Sequence, residues 1–291
     1  MNLGKFHNKN YKKLLLIPLI LILASIIYLI IFNTQTGDFI HKDITLTGGT
    51  SITIYDQIDL LDLENYLSPS LEDLNLREIY DITTKEQKAV IIETTTEGDK
   101  AKKLLEDYLG YNLIEGENSD FEFTGSVLSD SFYRQLLIAI LIAFLFMAIV
   151  VFIIFRTVIP SIAVIISAFA DIIMTLAVVN ILGIKMSTAG IIAFLLIIGY
   201  SVDTDILLTT RILKRKDGTL NRRIFGAFTT GITMTLTSLF AFLFTFLIVK
   251  SFSNILAQIL GIVTIALFFD LLNTWITNVS ILKWYVERKR K

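Results

Sequence analysis

The sequence predicts a polytopic α-helical membrane protein with six transmembrane helices and one small α+β domain between the first and second helices. Two properties of the composition support this fold class: 54% of the 291 residues are hydrophobic, and the mean hydropathy is +0.66. A third observation is the distribution of the apolar residues, which fall into long blocks that a single polar segment interrupts.

Six blocks are long enough to cross the hydrocarbon core, because a helical span needs about 20 apolar residues. The predicted spans cover residues 13–32, 135–155, 159–181, 187–208, 225–249 and 253–282. The first block is too long for the apolar region of a secretory signal, and no small-residue cleavage site follows it, so we expect a retained anchor. An even number of spans places both termini on one side of the membrane.

Lysine and arginine indicate the orientation, because cytoplasmic loops carry an excess of these residues. The basic residues on the side of the termini are Lys5, Lys9, Lys12, Lys13, Arg156, those of the run Arg211–Arg223 and those of the tail 284–291. The short loops on the opposite side offer Lys185 and Lys250. We therefore expect a multi-pass protein of the cell membrane whose N-terminal segment 1–12 and C-terminal tail are both cytoplasmic.

The absence of cysteine excludes a disulfide framework and a thiolate metal site. His7 and His41 lie outside the predicted spans, so an imidazole relay inside the membrane is excluded as well. We expect no metal, no cofactor and no enzymatic activity.

Residues 33–134 form the predicted extracytoplasmic domain, and residues 135–283 carry the other five spans. The domain is strongly acidic, since it holds 21 of the 27 acidic residues and eight basic ones. This charge argues against nucleic acid as a ligand, because phosphate binding requires positive charge. A basic or neutral extended polypeptide remains compatible with this acidic charge as a ligand.

The pattern of this domain predicts four strands and two helices in the order βαββαβ. The segments "ITLTGGTSITIYD", "LREIYDITT", "KAVIIETTT" and "DFEFTG" are typical of strands, and "DLLDLENYL" and "DKAKKLLEDYLG" of helices. This order is that of the ferredoxin-like split βαβ unit. Gly48 and Gly49 lie inside the first predicted strand, where paired glycines usually mean a β-bulge or a close backbone approach, and we favour a purely structural bulge over a binding role.

Asp171 lies inside the third predicted span, and Asp203 and Asp205 lie inside the fourth. A charge at the bilayer centre costs at least about 2.5 to 3.5 kcal/mol, so these carboxylates need a compensating role. No lysine or arginine occupies the middle of a span, which favours protonation or an inward water-filled cavity. Asp203 and Asp205 point about 200° apart on a helix, so they cannot both face the same neighbour.

Other polar residues line the facing helices. They are Thr230, Thr233 and Thr237 in the fifth span, and Asp270, Asn273, Thr274, Thr277 and Asn278 in the sixth. Many of these side chains need only form interhelical hydrogen bonds, worth about 0.6 kcal/mol each. We predict an ion relay of Asp171, Asp203, Asp205 and Arg211, with Thr204, Thr233, Thr237, Asp270 and Asn273 as its supporting polar face. Arg211 could equally extend to the membrane interface without a functional role.

Four motifs in order resemble the SecF branch of the SecD/SecF family of protein-export membrane proteins, in the resistance-nodulation-division superfamily. They are "LTGGT" (Leu46–Thr50), "FTGSVLSDSFYRQ" (Phe123–Gln135), "FADIIMTL" (Phe169–Leu176) and "GYSVDTDILLTTRILKR" (Gly199–Arg215). Gly48, Gly49, Gly125 and Gly199 belong to these motifs. Ala170 and Thr204 differ from the bacterial pattern and match the archaeal branch.

The resemblance implies an auxiliary subunit of protein export that pairs with SecD beside the SecY-type translocon and uses the ion motive force to help a polypeptide cross the membrane. The expected partners are SecD, the translocon, the translocating polypeptide and membrane lipid. Two alternatives remain open: an ion-coupled exporter of small molecules or lipids of the same superfamily, and an intramembrane aspartyl protease using Asp171 and Asp203. The protease is disfavoured because "GYSVD" lacks the Gly-x-Gly-Asp pattern expected of such enzymes.

Overall fold

The computed structural model describes residues 11–81, 83–215 and 218–289. Most of the predicted N-terminal segment and the last two residues of the tail lie outside these ranges. Within them, six helices are long and apolar enough to cross a membrane, which confirms the six-span prediction. These helices are Tyr11–Thr36, Ser129–Phe155, Val158–Ile181, Thr188–Leu213, Leu220–Val249 and Asn254–Lys289.

The described elements begin with one long helix, continue with a compact four-stranded sheet and its short helices, and end with the remaining long helices. In chain order they are α1 (Leu16–Thr36), α2 (Ile44–Thr47), β1 (Gly49–Ile54), α3 (Leu60–Leu67), β2 (Asn75–Tyr80), β3 (Gln87–Thr94), α4 (Gly98–Leu109), β4 (Ser119–Thr124), α5 (Ser126–Phe155), α6 (Val158–Ile181), α7 (Thr188–Leu213), α8 (Leu220–Val249), α9 (Asn254–Leu272), a π-helix (Asn273–Asn278) and α10 (Val279–Lys289).

Helices α6 and α7 form the centre of the helical bundle, while α1, α5 and α8 lie at its periphery. Small side chains on α6 allow the close packing, because they let helix backbones approach each other in a membrane. Ala163, Ala168, Ala170 and Ala177 are all buried. Side chains on the inward faces of α6 and α7 are therefore shielded from both lipid and water.

The sheet has four strands in the order β2-β3-β1-β4, and every neighbouring pair is antiparallel. Helices α3 and α4 follow β1 and β3 in the chain and supply Leu63, Leu67 and Leu105 to the core beside the sheet. The leucines at i and i+4 in α3 place both side chains on one face, which explains why this short segment packs as a helix.

The favoured bulge at Gly48 and Gly49 does not form, since β1 pairs in regular register with both neighbouring strands, and the alternative expectation of a close backbone approach is the one observed. Residues Ile44–Thr47 form a helical turn instead of strand, because the Asp43 side chain caps that turn by accepting from the Thr45 amide. Gly48 ends the turn with φ +82°, and Gly49 begins β1 with φ +154°. A Cβ atom on Gly49 would lie 2.5 Å from the Thr94 carbonyl oxygen, so this position requires glycine for a close backbone approach.

Backbone hydrogen bonds join the sheet and its adjoining turn to the loops of the bundle. The Asp43 amide donates to the Met186 carbonyl at 3.1 Å, and the Met186 amide donates to the His41 carbonyl at 2.6 Å. A third such bond runs from the Tyr80 amide at the end of β2 to the carbonyl of Ser251, in the loop between α8 and α9, at 3.1 Å. A displacement of these loops would consequently act on the sheet domain directly.

Candidate functional site

Three carboxylates from three helices meet in the interior of the bundle, and we call them the carboxylate cluster: Asp171 on α6, Asp205 on α7 and Asp270 on α9. Asp171 and Asp205 are fully buried, and Asp270 is 1% exposed. The three are close enough to interact electrostatically. Three like charges at this depth would repel one another strongly, so the three carboxylates cannot all be ionised there without a compensating proton or cation.

Asp171 has a hydrogen-bond donor for each of its oxygens. Ser201 Oγ on α7 donates to Oδ2 at 2.6 Å, and Asn273 Nδ2 donates to Oδ1 at 2.7 Å. Asn273 is held in turn by Thr277, whose hydroxyl donates to Asn273 Oδ1 at 3.1 Å. The asparagine amide is thereby oriented with its donor toward the carboxylate.

Asp205 and Asp270 share the hydroxyl of Thr274. The Thr274 Oγ1 atom lies 2.8 Å from Asp205 Oδ1 and 3.2 Å from Asp270 Oδ1, and Asn278 Nδ2 donates to Asp205 Oδ1 at 2.7 Å. The Oδ2 atoms of Asp205 and Asp270 are buried and accept no hydrogen bond of normal geometry from a described residue, although the hydroxyls of Ser167 and Ser201 lie near these two carboxylates. Because a buried polar atom without a partner is costly, these two oxygens are the natural acceptors for a proton.

The π-helix explains how one segment reaches all three carboxylates. Its i to i+5 hydrogen bonding stacks residues five positions apart, and such turns occur mostly at functional sites. Asn273 and Asn278 are five positions apart, and both donate into the carboxylate cluster. In an ordinary α-helix the two side chains would point about 140° apart.

None of the three carboxylates forms an ion pair with a described basic residue. Among the residues the structure describes, no group of three histidine, cysteine or acidic side chains has an arrangement suited to a metal ion. The donors around the carboxylate cluster are neutral hydroxyls and amides. Such an environment can hold a proton on one carboxylate and pass it to another through a hydroxyl such as that of Thr274.

Asp203 and Arg211 lie apart from this cluster, in contrast to the predicted relay of four residues. Asp203 is exposed on the outer face of α7, whereas Asp205, two residues later, points inward. The Arg211 guanidinium donates to the Gly226 carbonyl on α8 and forms no bond with a carboxylate among the described residues. Asp270, predicted only as part of the supporting face, belongs to the carboxylate cluster instead.

The remaining predicted residues divide between the interior and the surface. Asn273 contacts the carboxylate cluster, whereas Thr204 is buried against α8 near Gly231. Thr233 and Thr237 are exposed, and each hydroxyl donates to the carbonyl four residues earlier. Sequence reasoning missed the fit of Trp275 against Gly231, where an added Cβ would lie 2.4 Å from the indole ring.

The glycines of the other two motifs lie in open surroundings. Gly125 precedes α5 as its N-cap and Gly199 lies within α7, and an added Cβ at either position would meet no atom within 4 Å. Packing alone therefore does not require glycine at these two positions.

Comparison with known proteins identifies relatives along nearly the whole chain. A protein-export membrane protein SecF from Methanocaldococcus jannaschii is 38% identical over 97% of this chain and 98% of its own. The SecF of Methanothermobacter thermautotrophicus is 36% identical over 96% of this chain and 94% of its own. These archaeal relatives agree with the resemblance inferred from the four motifs.

A solved structure shares the fold. The crystal structure of SecDF from Thermus thermophilus, described as a translocon-associated membrane protein, superposes with a TM-score of 0.74 at 17% identity. The match covers 98% of this chain and 39% of the SecDF chain. The family model for the C-terminal part of SecD and SecF matches residues 106–288. With this match and the SecF relatives, the chain is shown to belong to the SecD/SecF family of protein-export membrane proteins.

Proposed function

We propose that this protein is an accessory subunit of Sec-dependent protein export, which pairs with SecD and uses the ion motive force to assist polypeptide translocation. The membership of the SecD/SecF family supports the export role. The single observation that carries the coupling role is the carboxylate cluster, which combines three acids, neutral donors and two unpartnered oxygens inside a membrane bundle.

The carboxylate cluster can bias the bundle between two packings through its protonation state. With a proton bound, the repulsion among Asp171, Asp205 and Asp270 falls and the three helices can pack closely. When the proton leaves, the charged form favours a looser packing that admits water. A potential of 100 mV supplies about 2.3 kcal/mol per charge moved, which shifts a two-state population roughly fiftyfold.

The outer domain converts this bias into movement of a polypeptide. We assign residues 33–134 to the extracytoplasmic side as a ferredoxin-like split βαβ unit, which is supported by the antiparallel order β2-β3-β1-β4. Both termini then lie in the cytoplasm. The bonds from Asp43 and Tyr80 to the bundle loops transmit helix movements to this domain. Its acidic surface suits transient contact with neutral or basic segments of a translocating chain.

Pairing with SecD is supported by polar groups that the single chain leaves uncovered within its spans. Asp203 on α7 is exposed at a position where lipid offers no polar partner, and Thr233 and Thr237 on α8 are exposed polar side chains whose hydroxyls bond within their own helix. The periphery at α5, by contrast, presents apolar side chains such as Leu145. The faces of α7 and α8 that carry these polar groups are therefore the surfaces we assign to SecD.

Cysteine crosslinking tests the pairing, and the natural absence of cysteine simplifies it. We expect Thr233→Cys and Thr237→Cys to crosslink to cysteines in the matching spans of SecD in native membranes. The matched control is Leu145→Cys on α5, which should react with lipid-phase probes only. Crosslinking of the control to SecD, with no product from the two α8 positions, would contradict the assignment.

A further inference from the structure

Four arginines surround one cavity where the fourth span ends and the fifth begins, and we call this the arginine cavity. It is lined by Arg211 and Arg215 from the end of α7 and its following loop, and by Arg222, Arg223 and Gly226 from the first turns of α8. Its volume is about 230 Å³. Since one water molecule occupies about 30 Å³ in the liquid, the cavity has room for a polyatomic ion.

Two of the guanidinium groups are fixed in place by backbone carbonyls. Arg211 donates to Gly226 across the two helices, and Arg223 donates to Ile212 at 2.7 Å and to Arg215. These bonds set both side chains in defined orientations beside the cavity. Pre-oriented arginine is well suited to bind phosphate, because its planar fork of donors matches two phosphate oxygens.

The charge of the arginine cavity is uncompensated within the described part of the chain. None of its four arginines forms an ion pair with a described acidic residue. Arg223 Nε is buried and has no hydrogen-bond partner among the described residues. A neighbouring cavity that Arg223 also lines adds Lys214 and Lys289. An anion in the arginine cavity would relieve the repulsion among these groups.

The N-terminus of α8 adds further positive charge beside the arginine cavity. Arg222 and Arg223 lie in the first turn of α8, whose N-cap is Thr219 and whose first turn contains no acidic residue. The N-terminus of a helix carries a partial positive charge and exposed amide donors, so basic residues there are unfavourable unless an anion is bound. The cavity, the fixed guanidinium groups and the helix terminus all favour the same ligand chemistry.

We propose that the arginine cavity binds a phosphate group, supplied either by the headgroup of an anionic lipid or by free phosphate. The site lies at the ends of two membrane spans, where a lipid headgroup can reach it while the acyl chains remain in the bilayer. Occupation would join the ends of α7 and α8 and fix the helix that carries Asp205. This inference does not depend on the proposed export role.

Two measurements on the full-length protein test the site. In native mass spectrometry, dioleoylphosphatidylglycerol is titrated, with a galactolipid that has the same acyl chains and no phosphate as the control. In equilibrium dialysis, binding of radiolabelled inorganic phosphate is measured. We expect saturable binding of the phospholipid and none of the galactolipid. Binding of inorganic phosphate with weak phospholipid binding would identify the free ion as the source. Absence of binding by both phosphate compounds overturns the proposal.

The variant Arg215→Gln/Arg222→Gln removes two charges without breaking the bonds to backbone carbonyls. We expect its affinity for the phosphate-bearing ligand to fall at least about tenfold. The matched control is Lys12→Gln/Lys13→Gln, which removes two exposed charges at the start of the first span. Equal losses in both variants would mean a nonspecific charge effect and refute the site. A thermal unfolding midpoint equal to that of the wild type shows that each variant is folded.

Discussion

Replacement of Gly49 by alanine should destabilise the outer domain more than the same change at Gly110 or Gly125. The new Cβ would lie 2.5 Å from the Thr94 carbonyl oxygen and 3.1 Å from Ile44 Cγ2. A carbon and a carbonyl oxygen normally approach to about 3.3 Å, so β1 and β3 would have to separate by nearly 1 Å. The closest contact joins the new Cβ to a backbone carbonyl oxygen, so no side chain can rotate away to relieve it.

Two costs add at this position. Overpacking of a closely packed region costs about 1 to 3 kcal/mol. The backbone dihedral φ of +154° adds a further cost of order 1 to 3 kcal/mol for a residue with a side chain. For a domain of about 100 residues each kcal/mol lowers the melting temperature by roughly 4 to 8 °C. We therefore expect a loss of at least about 8 °C.

Two other glycines separate these costs. Gly110 has φ +77° with no atom within 4 Å of an added Cβ, so Gly110→Ala measures backbone strain alone. Gly125 has neither a positive φ nor a close neighbour, so Gly125→Ala should resemble the wild type. The assay is the temperature at which the outer domain of the full-length protein becomes sensitive to protease. If Gly49→Ala loses no more than Gly110→Ala, the contact with Thr94 does not constrain the fold.

Two further predictions concern the contact between the segment before β1, which contains Asp43, and the loop between α6 and α7. Gln258 accepts from the Ser187 amide at 3.1 Å and donates to the Lys185 carbonyl at 2.6 Å. Gln258→Ala should therefore lower the free energy of unfolding by about 1 to 3 kcal/mol in thermal unfolding of the full chain. The control Gln135→Ala, at an exposed position, should leave it unchanged, and equal losses in the two variants would contradict this prediction. Burial raises the pKa of the Asp43 carboxyl above its ordinary value of 3.8, despite hydrogen bonds from Thr45, with Glu93 adding to the rise and Arg77 opposing it. A raised pKa in the folded state means that the stability from this group is complete below the unfolded pKa and is lost as the pH rises through the folded value. Asp43→Asn keeps an acceptor for Thr45, so it should raise the melting temperature relative to wild type at pH 7 and not at pH 4; a larger gain at pH 4 would refute this sign.

Features that depend on local sequence were predicted well. An apolar block of about 20 residues specifies a span by itself, so the six helices follow from composition and length. The four antiparallel strands follow from alternation and from turn residues between the segments. The motif that identified the family is also local, since "GYSVDTDILLTTRILKR" is continuous in the chain.

Features that depend on helix rotation and on irregular turns were not predicted. Helical geometry indicated that Asp203 and Asp205 face different neighbours, but it could not tell which of them points inward. The π-helix places Asn273 and Asn278 on the same side, which an α-helical projection does not anticipate. Asp270 therefore looked like part of a polar stripe, although it belongs to the carboxylate cluster.

The first strand illustrates the same limit on a smaller scale. Residues Ile44–Thr47 alternate as a strand would, but the Asp43 cap turns them into a helical segment. Thr45 is then placed so that its hydroxyl accepts from the Thr188 amide at the start of α7 at 3.0 Å. A contact between residues that far apart in the chain overrides the local preference for strand.

The central claim, that the carboxylate cluster couples an ion gradient to export, is tested most directly in vesicles that contain this protein with SecD and the translocon. The rate of polypeptide export is measured against the size of an imposed proton or sodium gradient. We predict that Asp171→Asn, Asp205→Asn and Asp270→Asn each abolish the dependence on the gradient while the complex still assembles. Asp43→Asn, the same change at a buried acid outside the cluster, should retain that dependence. If the three cluster variants respond to the gradient as the wild type does, these carboxylates do not couple it to export.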